Sequence, residues 1–109
     1  MTQTEIQEIL NGIVERITEK FDPEKIVLFG SYARGTPNAD SDADLLIIMR
    51  VSGSKRRQAV EIDFLLQGIP IPTDVIVVSP EEVERACDCP GTIIYEALRE
   101  GKVLYERAA

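Results

Sequence analysis

Gly30-Ser31-Tyr32-Ala33-Arg34-Gly35-Thr36-Pro37-Asn38-Ala39-Asp40-Ser41-Asp42-Ala43-Asp44 joins a turn of small residues to a run of alternating carboxylates. Its flanks decide how the chain is organised. Upstream, Lys25-Ile26-Val27-Leu28-Phe29 is a short β-branched run that ends at Gly30, the pattern of a buried strand stopping in a tight turn. Downstream, Leu45-Leu46-Ile47-Ile48-Met49 is apolar without alternation, as in a strand covered on both faces and therefore central in its sheet. A further run, Asp74-Val75-Ile76-Val77-Val78, opens on an acid, which can enter the same cleft from a neighbouring strand.

Helical patterns surround these runs. Ile6, Ile9, Leu10, Ile13, Val14 and Ile17 follow the three-and-four spacing of an amphipathic helix over 4–20, with Thr4 and Gln7 expected as a capping box and Pro23 closing the element. Tyr32–Arg34 fits one helical turn after Ser31. The placement of Ile62, Leu65, Leu66 and Ile69 predicts a helix over 54–68, and Pro70 and Pro72 bracket the link into a strand over 73–78. Ser79-Pro80-Glu81-Glu82 has the composition of a helix start, with Ser79 as cap and Glu82 as the returning acid. A last helix over 92–100 ends at Gly101, before a terminal strand at Val103-Leu104-Tyr105. The expected fold is α/β (α+β), a small mixed sheet with helices packed against it, forming a single domain over 1–109.

At 109 residues the chain is long enough to bury roughly two-thirds of the surface its unfolded form exposes. Its formal net charge of −7 argues against free-standing nucleic-acid binding, which needs a concentrated basic face. No apolar run approaches the length of a membrane span, and Met1-Thr2-Gln3-Thr4-Glu5 lacks the layout of a signal peptide, so a cytoplasmic location without membrane attachment is expected. Cys87 and Cys89 stand too close for an easy disulfide and are read as free thiols. The chain contains no histidine, so acid–base and metal chemistry must run on carboxylates, which favour hard cations such as magnesium.

The candidate site follows from these constraints. Gly30 lets the backbone approach a ligand closely, and Ser31 offers its hydroxyl and amide to phosphate oxygens. Asp42 and Asp44 project from the same side of an extended backbone, with Cα atoms roughly 6.6 Å apart. At an effective dielectric near 20 the two charges repel by roughly 2.5 kcal/mol, before Asp74 adds its share, and a bridging cation relieves that conflict. Asp40, Asp42 and Asp44 also fit the first places of an EF-hand, but Leu45 stands where glycine is needed and Val51 where the bidentate glutamate belongs. Two-metal chemistry suits the set better: Asp42 and Asp44 bridging two ions, and Asp74 completing one ion's shell and accepting a proton. Arg34, one turn past Ser31, suits either a triphosphate or a neighbouring acid. Lys55-Arg56-Arg57 reads first as a solvated helix start.

Gly30-Ser31, followed after residues 32–41 by Asp42-Ala43-Asp44, resembles the signature of the DNA polymerase β-like nucleotidyltransferase superfamily, and the size of the chain resembles its minimal nucleotidyltransferase branch. The resemblance extends from Phe29-Gly30-Ser31-Tyr32-Ala33-Arg34-Gly35 to Asp74 and to Leu98-Arg99-Glu100-Gly101-Lys102-Val103-Leu104-Tyr105. It implies transfer of a nucleoside monophosphate from a nucleoside triphosphate, usually ATP, with two magnesium ions. Asp42, Asp44 and Asp74 would be catalytic and metal-binding, and Gly30, Ser31 and Arg34 would hold the nucleotide. Members of the branch are often antitoxins beside a HEPN-type toxin, on which some adenylylate a tyrosine. With no further domain here to hold an acceptor, the resemblance implies a hetero- or homo-oligomer. The alternative it leaves open is a non-catalytic antitoxin or nucleotide-binding module that neutralises its partner by contact.

Overall fold

A computed structural model describes residues 2–38 and 40–108. Its elements are α1 (Gln3–Lys20), β1 (Lys25–Phe29), α2 (Ser31–Arg34), β2 (Ala43–Ile48), α3 (Lys55–Leu65), β3 (Thr73–Val78), α4 (Pro80–Ala86), α5 (Ile93–Glu100) and β4 (Lys102–Glu106). The strands form one mixed sheet, as expected, and its order is β3-β2-β1-β4. Strand β1 runs antiparallel to β2 and β4, whereas β2 and β3 are parallel and need a crossover, which α3 supplies.

The sheet is covered on both faces. Ile26, Leu28, Leu45, Ile47 and Val77 pack with Leu10, Ile13 and Ile17 of α1 and Ile62 of α3. The alternate residues Val27, Leu46, Ile48 and Val78 pack with Ile94 and Ala97 of α5. Leu45, Leu46 and Ile47 are all fully buried, which explains why this strand shows no polar alternation in sequence. Among the described residues, no helix is long and apolar enough to cross a membrane.

Several element ends differ from the sequence expectation, β4 among them, which runs from Lys102 to Glu106 and not only over Val103–Tyr105. The first capping box is Thr2 with Glu5, not Thr4 with Gln7: Thr2 is extended (φ −78°, ψ 164°), its hydroxyl accepts from the Glu5 amide at 3.1 Å, and Glu5 accepts from the Thr2 amide at 3.1 Å. Gln7 instead donates along the helix to Asn11 at 3.0 Å. Helix α3 stops at Leu65, because the Leu66 amide tightens onto the carbonyls of both Ile62 and Asp63 and Pro70 follows closely. Helix α5 starts at Ile93, with Thr92 as its cap accepting from the Tyr95 amide at 3.1 Å. Ser79 and Glu82 form the capping box expected of them, and Pro80 takes the first helical position.

Gly101 closes α5 for a steric reason. Its φ of −81° is open to any residue, but a Cβ there would overlap the Ala97 carbonyl oxygen and lie 2.5 Å from Val27 Cγ1 and 2.8 Å from the Leu28 oxygen. The missing side chain lets the α5–β4 corner sit directly on β1. Gly101→Ala is therefore expected to cost about 1–3 kcal/mol in urea unfolding. Gly12→Ala, in a helix and with open space around it, is expected to stabilise by about 0.5–1 kcal/mol. Equal effects at the two positions would contradict this packing.

The start of α3 is tied to α4 by Lys55 and Glu82, 2.5 Å apart. This hydrogen bond to Lys55, followed by the capping bonds with Ser79, holds the Glu82 carboxyl below the usual glutamate range. A lowered folded value means the stabilisation is present above the unfolded value and lost as pH falls through the folded one. Glu82→Gln should lower the melting temperature by roughly 2–4 °C at neutral pH. The difference should shrink in acid below the ordinary glutamate range; a pH-independent difference would contradict this ion pair.

Candidate active site

Strand register brings the acids together. In the parallel ladder Asp44 of β2 lies directly opposite Asp74 of β3, and in the antiparallel ladder Phe29 of β1 lies opposite Asp44. Neighbouring strands run about 4.8 Å apart, so the Asp44 and Asp74 side chains rise side by side. By alternation they share the face of Leu46, Ile48 and Val78, the α5 face, and Asp42 has the same parity one step beyond the strand. Asp44 is half-buried, whereas Asp42 and Asp74 are exposed.

Gly30 sits against this group. It caps α2 with φ 79° and ψ −156°, a conformation that disfavours any residue with a side chain. A Cβ at this position would also overlap Asp44 Oδ2 and come within 3.3 Å of its Cγ. The glycine is thus needed by the acid as well as by the turn. The first amides of α2, Ser31 to Ala33, lack intrahelical acceptors by the geometry of any helix start. Ser31 itself accepts from the Thr36 amide through its carbonyl at 3.0 Å, which folds the loop back on α2.

Burial pushes the Asp44 carboxyl above its ordinary value, helped by the charges of Asp74 and Asp42 and opposed by Arg34. Arg34 therefore lies within electrostatic reach of the acids, while its guanidinium stands 3.7 Å from Glu100 of α5. The sequence left Arg34 between phosphate and acid; the fold gives it an acid, with both partners about half exposed. Glu100 is a contributor that sequence reading missed, because nothing local in the chain links it to the loop.

The donor set fits magnesium in kind: all the candidate ligands are carboxylate oxygens, and the absent Gly30 side chain makes room for the one at Asp44. Among the described residues, however, no three ligating side chains are closed into a ready cage. Like charges held on facing strands account for that open arrangement. A cleft of about 520 Å³ lies on the opposite, α1 side of the same loop, lined by Gln3, Gln7, Tyr32, Gly35 and Lys102 among others. None of the three aspartates lines it.

The remaining candidates fall outside the site. Lys55 is held by Glu82, and Arg57 lies 4.0 Å from Glu61. Cys87 and Cys89 are free and exposed. Tyr32, Tyr95 and Tyr105 are all half-buried, and the Tyr95 hydroxyl accepts from Arg99 at 3.1 Å.

The family model described as "Nucleotidyltransferase domain" matches residues 10–104, a span that contains Gly30 and all three aspartates. The chain belongs to the nucleotidyltransferase domain family. This nucleotidyltransferase is 32% identical over 114 residues to a candidate protein adenylyltransferase of Methanocaldococcus jannaschii, covering 98% of this chain and 76% of the relative. It is 40% identical over 47 residues to protein adenylyltransferase MntA of Thermococcus cleftensis, a match that covers 43% of this chain and 48% of that protein. Among solved structures, a candidate nucleotidyltransferase of Sulfolobus solfataricus superposes with a TM-score of 0.66 at 21% identity, over 96% of this chain and 84% of the other. A tri-AMPylated Shewanella oneidensis HEPN toxin in complex with MNT antitoxin gives 0.52 at 18% identity, over 93% and 72%. At these identities the structures establish the fold.

The crowding of Asp44 has a measurable consequence. Its raised value means the folded protein holds that proton more tightly than the unfolded chain, so the ionised form near neutral pH weakens the fold. Asp44→Asn should melt higher than wild type by roughly 2–4 °C in EDTA. A lower melting temperature would show that the carboxylate is not under repulsion.

Proposed function

We propose that this nucleotidyltransferase transfers AMP from ATP to a hydroxyl of a partner protein, a tyrosine of a HEPN-type toxin, and so acts as its antitoxin. The carrying observation is the register that sets Asp44 beside Asp74 and against Gly30. The names of the relatives, protein adenylyltransferases, and the AMPylated toxin in one structural neighbour support the choice of donor and acceptor. In this reading residues 1–109 work as one minimal domain in the cytoplasm, where the exposed thiols stay reduced.

In this reading Ser31 and the amides after Gly30 bind the phosphates, and Arg34 turns from Glu100 toward the triphosphate. Asp42, Asp44 and Asp74 would hold two magnesium ions, which would supply activation of the attacking hydroxyl and neutralisation of the leaving pyrophosphate. The acceptor oxygen forms a bond to the α-phosphorus, the bond to pyrophosphate breaks, and Asp74, exposed at the edge of the group, takes the hydroxyl proton.

The charge of −7 and the open arrangement of the acids favour a second reading, neutralisation of a basic partner by contact. Incubation with the partner, magnesium and α-labelled ATP separates the two. Label should appear on the partner and fall at least 100-fold, roughly the contribution of an acid–base group, in Asp42→Asn and Asp44→Asn. Unchanged labelling and neutralisation would refute the catalytic reading; lost labelling with intact neutralisation would establish contact as the function. Gly30→Ala should weaken ATP binding at least tenfold by calorimetry, an order-of-magnitude expectation for a displaced Asp44 and a blocked backbone approach.

A further inference from the structure

Helix α3 carries its charges the wrong way round. The first turns of α1, α4 and α5 hold acids (Glu5; Glu81 and Glu82; Glu96) and their last turns hold bases (Lys20; Arg85; Arg99), as the helix dipole favours. In α3 the first turn is Lys55-Arg56-Arg57 with no acid, and the last turn has no base. Glu82 accounts for Lys55. Arg56 is exposed and has no ion pair among the described residues, and Arg57 reaches Glu61 only at 4.0 Å, in the less favourable order along a helix.

The same helix exposes apolar surface. Of the four large hydrophobic side chains exposed among the described residues, Val60 (62%) and Phe64 (71%) stand one turn apart on the outer face of α3. Arg56 and Asp63 flank this pair on one side, Arg57 and Glu61 on the other, by helical spacing. Ile62 and Leu66 face inward.

We infer that this face of α3 binds the same face of a second copy of the chain, antiparallel, about a two-fold axis near Val60. The pattern is self-complementary, as a two-fold interface requires. Reversing the partner helix lays its acidic end along the basic start of the first, so Arg56 meets Asp63 of the second copy and Arg57 meets Glu61. The opposed helix dipoles are then satisfied by the neighbouring helix rather than within one. Val60 packs on Val60 across the axis, and Phe64 covers the stems of the facing arginines. A single pair of helices buries less than the roughly 800 Å² per partner of a standard interface, so the pairing is weak, with a dissociation constant on the order of 10⁻⁴ M.

Sedimentation equilibrium of the full chain, from about 10 μM to 1 mM in about 0.15 M salt to screen the net charge, tests this pairing. Wild type should shift from monomer to dimer across that range. Phe64→Ser should remain monomeric. Arg56→Glu and Asp63→Lys should each weaken association about tenfold, and the double variant Arg56→Glu/Asp63→Lys should return to within about threefold of wild type. Asp63→Lys also removes a 3.4 Å bond from the Thr73 hydroxyl, so circular dichroism should confirm that each variant is folded. A wild-type monomer at every concentration would overturn the inference. So would association indifferent to Phe64→Ser, or a double variant no better than the singles. If wild type stays monomeric while Phe64→Ser loses binding to a different protein, the face belongs to that protein and the self-pairing is wrong.

Discussion

Everything at the acidic end of the sheet depends on one contact: the Asp44 carboxylate fills the space where a side chain at Gly30 would be. That contact couples a turn with positive φ to a charge placed by strand register. The parallel pairing of β2 and β3 adds Asp74 at the same level, and the even spacing of the chain adds Asp42. None of these residues gains stability from the arrangement. Asp44 is half-buried beside two like charges, and Arg34, drawn partly toward Glu100, compensates incompletely. A fold that holds such a group open does so at a cost, which a divalent cation with a phosphate ligand can offset.

The two-faced core makes this tolerable. Leu45, Leu46 and Ile47, immediately after Asp44, are fully buried, so the strand is fixed by packing and not by its charged end. Gly101 brings α5 directly onto β1, which keeps Glu100 near Arg34 at the end of α2. Packing around small residues therefore sets the electrostatics of the site.

Much of this was legible in the chain. The apolar runs at β1, β2 and β3 announced strands, the unbroken one at β2 a strand covered on both faces, and Ser79-Pro80-Glu81-Glu82 announced α4, because these signals are local. Helix ends were less legible: Thr2 and Thr4 are equally good caps by composition, and only the extended backbone at Thr2 decides between them. The pairing of Arg34 with Glu100 was invisible, since it joins distant parts of the chain across a packed corner. The opposing of Asp44 and Asp74 was foreseeable as a neighbourhood and not as a register, because register depends on how α3 returns the chain.

The central claim, that the three aspartates and the Gly30 turn form one cation and phosphate site, is tested most directly by nuclear magnetic resonance with manganese as a paramagnetic stand-in for magnesium. Substoichiometric manganese with a non-hydrolysable ATP analogue should broaden the amide signals of Ser31, Asp42, Asp44 and Asp74 first, and Asp44→Asn should abolish that selectivity. Broadening spread over the acidic surface, or centred on any other group, would contradict the account.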